Sequence, residues 1–554
     1  MSHLLCACFK SDSADDGHDY KPLATMDGRE NNDELLVTTQ GKAVNLLITH
    51  NELIVTKRKS TPFGGESAHL RISKASSSIK RIPISQVLAA TCSISPSNQT
   101  LATIHVAAVY RKNSTKPAKL WTLSGTAYIG DVEHGSGGRN RPLEWCSTLE
   151  ARAYQGVKPK RRLRVIINPH GGKGKAKELW QKEIAPVFKA AGCRVTLAYT
   201  GPPGSEENAR NYGRDHKYEE FDVLVSISGD GIVHELLNGL ASRPDAKTAL
   251  QKTPICPIPA GSGNALQVNL EGPESANDCV WAALAAVKGK ELPMDLCSVT
   301  QGNDRFVSFL TQAIGLMADL DLGTEHMRWI GELRFTLGYV QGALSRRTYP
   351  FEMAVKIAHQ GTDKLAMVEA YNKSRNSSPP LLELNGSIVE GTTKEALPSL
   401  QCGTVADDLA EIAAAPVHTD LPETLTPGWH IIKTPIAWAY GGKLPYVSQE
   451  LQLFPPATGD NGLIDLAIMP PIGRLEALSG MDGADKGSIF WNPKTRYYRC
   501  SAIRVTPLNA KGFISIDGEK VNHEPFQVEV HEKLARCVSL NGKFWGTEIR
   551  GPNK

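Results

Sequence analysis

Between residues 163 and 266 the chain repeats one pattern, and that pattern restricts the fold more than any other feature. A β-branched run comes first, then a turn or a helical period, then the next run. Residues 163–168, 194–199 and 222–228 are the runs. Ala176, Leu179, Trp180, Ile184, Val187 and Phe188 fall at helical spacing, which predicts a helix over 175–191 closed by Gly192. Pro186 marks a kink within it. A second helix follows residue 230, with Ile232, Val233, Leu236, Leu237 and Leu240 on one side. Strands alternating with helices build βαβ units and a parallel sheet. Residues 254–259 read as a further strand, whose prolines suit a strand end or sheet edge.

The flanking sequence has a different texture. Residues 1–34 read as a disordered leader, and 35–150 as a small β-rich N-terminal domain of short β-like runs such as 43–49 and 101–110. A basic linker, Lys158-Pro159-Lys160-Arg161-Arg162, opens the α/β part at 158–300. Residues 301–554 return to β-rich texture, with 368–428 expected as a long disordered insertion. Of 554 residues 41% are apolar, so a large core is available, and a net charge of +4 gives no reason to expect a nucleic-acid partner. Eleven cysteines occur without any Cys-x-x-Cys pair, which removes zinc-type spacing and points to a reducing, cytosolic compartment. No apolar run reaches the roughly 18–20 residues that span a bilayer. Cys6 and Cys8, among Leu and Phe, are candidate palmitate acceptors; an unmodified tail is the alternative. The basic run Lys57-Arg58-Lys59 reads as a solvated strand end.

Four glycine-containing turns carry the chemistry. Asn168-Pro169-His170-Gly171-Gly172-Lys173-Gly174-Lys175 offers close backbone N–H groups to an anion, but Ala176 stands where a Walker loop needs Ser or Thr. Ser228-Gly229-Asp230-Gly231 sets a carboxylate between two glycines at a strand end, where it can take a hydroxyl proton or simply cap a helix. His234, with no second His at i+4, reads as structural. Pro259-Ala260-Gly261-Ser262-Gly263-Asn264-Ala265-Leu266 lacks the last glycine of a dinucleotide fingerprint but still suits phosphate. Ser515-Ile516-Asp517-Gly518-Glu519 is an Asp-Gly hairpin turn whose carboxylates are candidates for a ribose, an adenine amine or a metal.

In this order the four motifs closely resemble the diacylglycerol-kinase-type catalytic fold in its sphingosine kinase variant, over roughly 160–365 and 430–550. The resemblance implies an α/β nucleotide-binding domain followed by a β-rich lipid-binding domain, with ATP between them. It implies nucleotide contacts from Asn168, Pro169, His170, Thr200, Ser262, Asp517, Gly518 and Glu519, and makes Asp230 the catalytic base. The family often has a His-Ala pair after the position of Thr200; here extra residues lead to Asn208-Ala209. Ser228, Gly229, Asp230 and Gly231 would face the lipid, and Arg328 and Arg334 the nucleotide phosphates. A sphingoid base carries a protonated amine and diacylglycerol does not, so a carboxylate near the reacting hydroxyl discriminates between them. The resemblance gives that role to Asp321; the residues alone do not separate it from Asp319. The expected activity is ATP- and Mg²⁺-dependent phosphorylation of the primary hydroxyl of a sphingoid base (sphingosine, sphinganine or phytosphingosine), with a diacylglycerol or ceramide kinase on the same fold as the alternative. The enzyme would be peripheral at cytoplasmic membrane faces and in the cytosol, with no metal site of its own.

Overall fold

The computed structural model describes residues 33–57, 79–94, 100–129, 141–202, 204–323, 347–358, 362–376, 394–471, 473, 482–549 and 551. Four parallel strands lie in the order Arg194–Tyr199, Arg162–Ile167, Val223–Ser228, Pro254–Pro259. Val223–Ser228 and Pro254–Pro259 are buried along their whole length, as strands covered on both faces must be. Their carboxyl ends are in register: Ile167 stands opposite Tyr199 and Ile227, and Ser228 opposite Pro259. Asn168, Thr200, Gly229 and Ala260 therefore leave the sheet along one edge, where open α/β sheets bind ligands.

Two local expectations change. The first helix runs as Ala176–Leu179 and Ala185–Ala190 joined by a π-turn, Trp180–Ile184, just ahead of Pro186. A wider turn relieves the clash a proline ring makes with the carbonyl four residues back, so the helix continues instead of breaking. Pro254–Pro259 is not an edge strand. It pairs with Val223–Ser228 on one side and with the far C-terminal strand Phe526–Ser539 on the other. The second pairing covers only Pro254 and Ile255. Because Ala260 N–H bonds Ser228 O, strand alternation turns positions 257 and 259 the other way, toward the side left unpaired beyond Ile255. Proline there sacrifices no ladder bond.

Phe526–Ser539 merges the two halves. It runs parallel to Pro254–Pro259 and antiparallel to Lys290–Gln301 and Arg496–Pro507. The β-rich half therefore begins about ten residues before 301, and one sheet runs through both parts. Its core gathers Trp438, Phe454, Phe490, Tyr497 and Tyr498. The stretch 368–428, expected as disordered, is ordered where it is described. Helix Lys364–Asn376 covers its start. Around residues 401–404, the Glu529 carboxylate accepts Gln401 N–H and Cys402 N–H, and Arg504 bonds Thr404 O. Backbone groups that composition marked as solvated are satisfied by buried side chains instead.

The N-terminal strands form a seven-stranded antiparallel sheet, and helix Arg141–Ala153 buries Trp145, Cys146 and Leu149 against it. This core is continuous with Leu163, Val165 and Phe188 of the α/β part, so the module is docked rather than tethered. Arg111 fastens it. Its guanidinium lies 4.2 Å from the Trp281 ring centroid and 2.6 Å from Asp278 Oδ2, both groups nearly buried. Breaking a buried pair leaves a charge uncompensated, so Arg111→Ala should lower the unfolding free energy by about 3–5 kcal/mol, read from urea melts. A loss within error would show that apolar contacts alone dock the module.

Candidate active site

Three glycine turns meet at the carboxyl edge of the sheet, backbone against backbone. A methyl group on Gly261 would stand 2.4 Å from Gly229 Cα, one on Gly229 2.7 Å from Gly263 O, and one on Gly172 2.6 Å from Ala260 O. Gly172 also has φ +57°, which disfavours a side chain regardless of space. Asn168 Oδ1 accepts His170 N–H at 3.0 Å and shapes the first turn. Pro169 follows it half-buried and His170 is exposed, while Thr200 is buried with its N–H on Ile167 O. Ser262 is half-buried, and the adjoining Asn264 Oδ1 is buried without a partner. The glycine backbone N–H groups make a cradle suited to phosphate oxygens, while Asn264 Oδ1, an acceptor, is left for a donor.

Asp230 opens helix Asp230–Ala241. Its Oδ2 accepts Ala265 N–H at 2.6 Å and its Oδ1 accepts Leu266 N–H at 3.1 Å, while its own N–H bonds Gly263 O. Burial pushes the carboxyl up to about 6, the two amides pull it down, and the charge of Asp517 adds to the rise. Ser228 is buried, its hydroxyl bonded to Ser226 and to Gly229 O. Gly231 leaves room for Glu519: a methyl group there would lie 2.7 Å from Glu519 Oε1.

Asp517 is the main surprise. The hairpin turn is present, but the carboxylate is consumed internally. It accepts His234 Nδ1 at 2.8 Å, Ser308 Oγ at 2.7 Å, and the N–H groups of Phe309, Leu310 and Thr311 at 2.8–3.0 Å. Burial works against its ionisation, yet the bond and charge of His234 and the other donors hold it below the usual carboxylate range. His234 is raised in turn, the pairing with Asp517 outweighing burial. His234 thus has the structural role expected of it. The turn keeps Gly518 and Glu519 exposed beside the Asp230 helix.

Asp319 and Asp321 part company on helix Leu316–Gly323. Asp319 accepts Tyr349 OH at 2.5 Å and lies 3.5 Å from Arg347. Asp321 Oδ2 accepts Ser515 Oγ at 3.0 Å and Tyr440 OH at 3.4 Å, two residues of backbone from Asp517. Of the two, Asp321 faces the hairpin that borders Asp230. Arg328, Arg334, Cys6 and Cys8 lie outside the described residues.

Sequence reasoning missed Glu235. It accepts backbone N–H groups of Ala209 and Arg210, and burial, then Glu519, raises its carboxyl. It fixes the start of helix Ala209–Arg214, which Asn208 caps through Asn211 N–H. The extra residues after Thr200 close into a loop by Gly201 N–H to Glu207 O. A Glu five residues after the motif Asp was visible, but its partners lie about 25 residues upstream and no local pattern links them.

These features define a phosphotransferase-type α/β site with an acid at its mouth. The profile of the diacylglycerol kinase catalytic domain matches residues 162–299. Sphingoid long chain base kinase 4 of Schizosaccharomyces pombe is 31% identical over 402 residues, covering 72% of this chain and 79% of that protein. Human sphingosine kinase 1 is 30% identical over 398 residues, covering 70% and 93%. Sphingoid long chain base kinase 5 of Saccharomyces cerevisiae is 29% identical over 459 residues, covering 76% and 65%. The chain belongs to the sphingosine and sphingoid long chain base kinase family.

The raised Asp230 carboxyl has a consequence for stability. Its folded value lies above the unfolded value near 3.9, so its contribution is fully present below about pH 4 and is lost as pH rises through about 6. Asp230→Asn should therefore exceed wild type in unfolding free energy at pH 7.5 by roughly 1–3 kcal/mol and match it near pH 4. Urea melts at both values check this; equal stability at pH 7.5 would mean the carboxyl is well solvated.

Proposed function

We propose that the protein transfers the γ-phosphoryl group of ATP to the primary hydroxyl of a sphingoid long-chain base. The observation that carries the reading is Asp230, half-buried between phosphate-cradling glycine turns with its proton affinity raised. A base poised near neutrality can take a proton and still be mostly ionised at pH 7.

Asp230 receives the C1 hydroxyl proton as that oxygen attacks the γ-phosphorus. The bond from the γ-phosphorus to the bridging oxygen breaks, and ADP leaves with that electron pair. The amides of the Gly171, Gly229 and Gly261 turns and Ser262 steady the phosphates, joined by Arg328 and Arg334. Asn168, Pro169, His170, Thr200, Gly518 and Glu519 border the nucleotide. Asp517 contributes by holding its own turn in place, since its side chain is already committed. Among the described residues no group of three or more His, Cys, Asp or Glu is placed to hold a metal ion, so Mg²⁺ would arrive on the nucleotide phosphates.

Asp321 meets the substrate ammonium. Ser515 and Tyr440 orient its carboxylate. The hydrocarbon tail enters the β-rich half. No helix among the described residues is long and apolar enough to cross a membrane. Peripheral contact therefore suits a lipid substrate, with Cys6 and Cys8 as candidate anchors.

Purified protein with ATP and Mg²⁺ should phosphorylate sphinganine and sphingosine and leave ceramide and diacylglycerol nearly untouched. Equal rates on diacylglycerol and sphinganine would defeat the assignment. kcat/KM should fall below pH 6 on a limb set by Asp230. Asp321→Asn should raise KM for the base about 10–100-fold with KM for ATP unchanged, the cost of losing a charged hydrogen bond. An unchanged KM for sphinganine would remove Asp321 from the amine site.

A further inference from the structure

A polar cavity of about 340 Å³ lies between the two halves of the chain, and neither Asp230 nor any of the three α/β glycine turns lines it. Its size is at the lower end for small-molecule sites, and interdomain seams are where such sites favour. Arg210, His234 and Asn238 come from the α/β half; Arg305, Phe306 and Asn522 come from the β-rich half.

Charge is unbalanced in this cavity. Arg305 is half-buried, and its guanidinium bonds uncharged partners: Ser298 Oγ through Nε and Nη2, and Pro398 O and, at 3.5 Å, His531 Nε2 through Nη2. Burial lowers its hold on the proton, so it is a cation in a poorly solvated place. Among the described residues no carboxylate lies within ion-pair distance of Arg305 or of the exposed Arg210. His234, bonded to Asp517, adds a third group that favours the protonated state. The opposing charges are Asp304, exposed at the rim, and Glu529, whose charge acts on Arg305 from beyond ion-pair distance and only partly offsets its burial. A desolvated cation normally has a counter-ion. Nη1 carries none of these bonds and is the guanidinium nitrogen left to donate to a phosphate oxygen, and the Phe306 ring offers an apolar wall to whatever carries the phosphate.

We infer that this cavity binds a phosphate-bearing anion, gripped by Arg305 and Arg210 across the seam between the halves. The ligand is either a soluble phosphate or a lipid phosphate headgroup. Its site is separate from the nucleotide cradle but shares with it the His234–Asp517 pair.

The test is calorimetric titration of the full chain saturated with ADP, which fills the nucleotide cleft. Inorganic phosphate, glycerol 3-phosphate, and phosphatidic acid vesicles beside phosphatidylcholine vesicles are the probes. One-to-one binding of the soluble probes is the expected result for a free anion; binding of phosphatidic acid vesicles alone identifies a headgroup. Arg210→Ala should weaken the productive probe by about tenfold, the worth of one charge-assisted contact, while kinase activity on sphinganine stays at the wild-type level. Arg305→Lys, which keeps the charge but loses the fork, should also weaken it. Failure of every probe, or affinity unchanged in both variants, would overturn the site. Neither result bears on phosphorylation of sphinganine by the same preparation, so failure of the kinase reading would be seen separately.

Discussion

The Asp517 carboxylate joins the halves of the molecule at one point. Three successive amides, Phe309 to Thr311, converge on it together with the Ser308 hydroxyl and the His234 ring. Such a nest of N–H groups is an anion site by construction, and here the chain supplies its own anion. Bonds to a charged acceptor contribute about 1.5–3 kcal/mol each, and three amides without it would be buried and unpaired. What they secure is geometry. Strand Thr311–Gly315 starts at this nest and runs directly into helix Leu316–Gly323, which carries Asp321. His234 sits one turn along the helix that Asp230 opens. One side chain therefore fixes Asp321 relative to Asp230, although they come from different halves.

Sheet continuity reinforces that relation. Phe526–Ser539 belongs to both halves, and rotation of one against the other would have to break its pairing with Pro254 and Ile255. Closure around nucleotide must be taken up by turns rather than by a hinge between independent lobes. The glycine turns suit that role. Gly229 and Gly261 pack at van der Waals range with no side chain between them, so small backbone rotations re-aim their N–H groups without repacking a core.

The α/β half was legible because its signals are local. Period 3.6 and period 2 patterns place strands and helices within a few residues, and the glycine motifs mark the sheet edge. What was not legible came from long-range pairing. The prolines of Pro254–Pro259 suggested an edge because a sequence does not tell which of two neighbours ends early. The 368–428 stretch looked solvated because its backbone partners, Glu529 and Arg504, lie about 100 residues away. Asp517 was expected as a nucleotide contact on a turn, but the turn's exposed tip hid the fact that its side chain points inward. Asp319 and Asp321 are equivalent in sequence; only Tyr349 and Arg347 on one side and Ser515 and Tyr440 on the other separate them.

The two carboxylates that frame the cleft, Asp230 half-buried and Asp517 buried, are driven to opposite charge preferences by the donors each one meets. Asp517 meets five donors, one of them the His234 ring, so burial strengthens every bond that favours its anion. Asp230 meets two amides and no cation, so burial dominates and its proton is held more tightly. The fixed anion also works on its neighbour, because the charge of Asp517 raises Asp230 further. For the base proposed at Asp230, which would accept a proton and then release it, that arrangement is a gain. Were both acids equally well provided with donors, Asp230 would be too weak a base to take a proton from an alcohol; were neither provided, both would be protonated at neutral pH and the hairpin would lose its anchor. The unequal distribution of N–H donors between two aspartates is what lets one hold the fold while the other remains free to react.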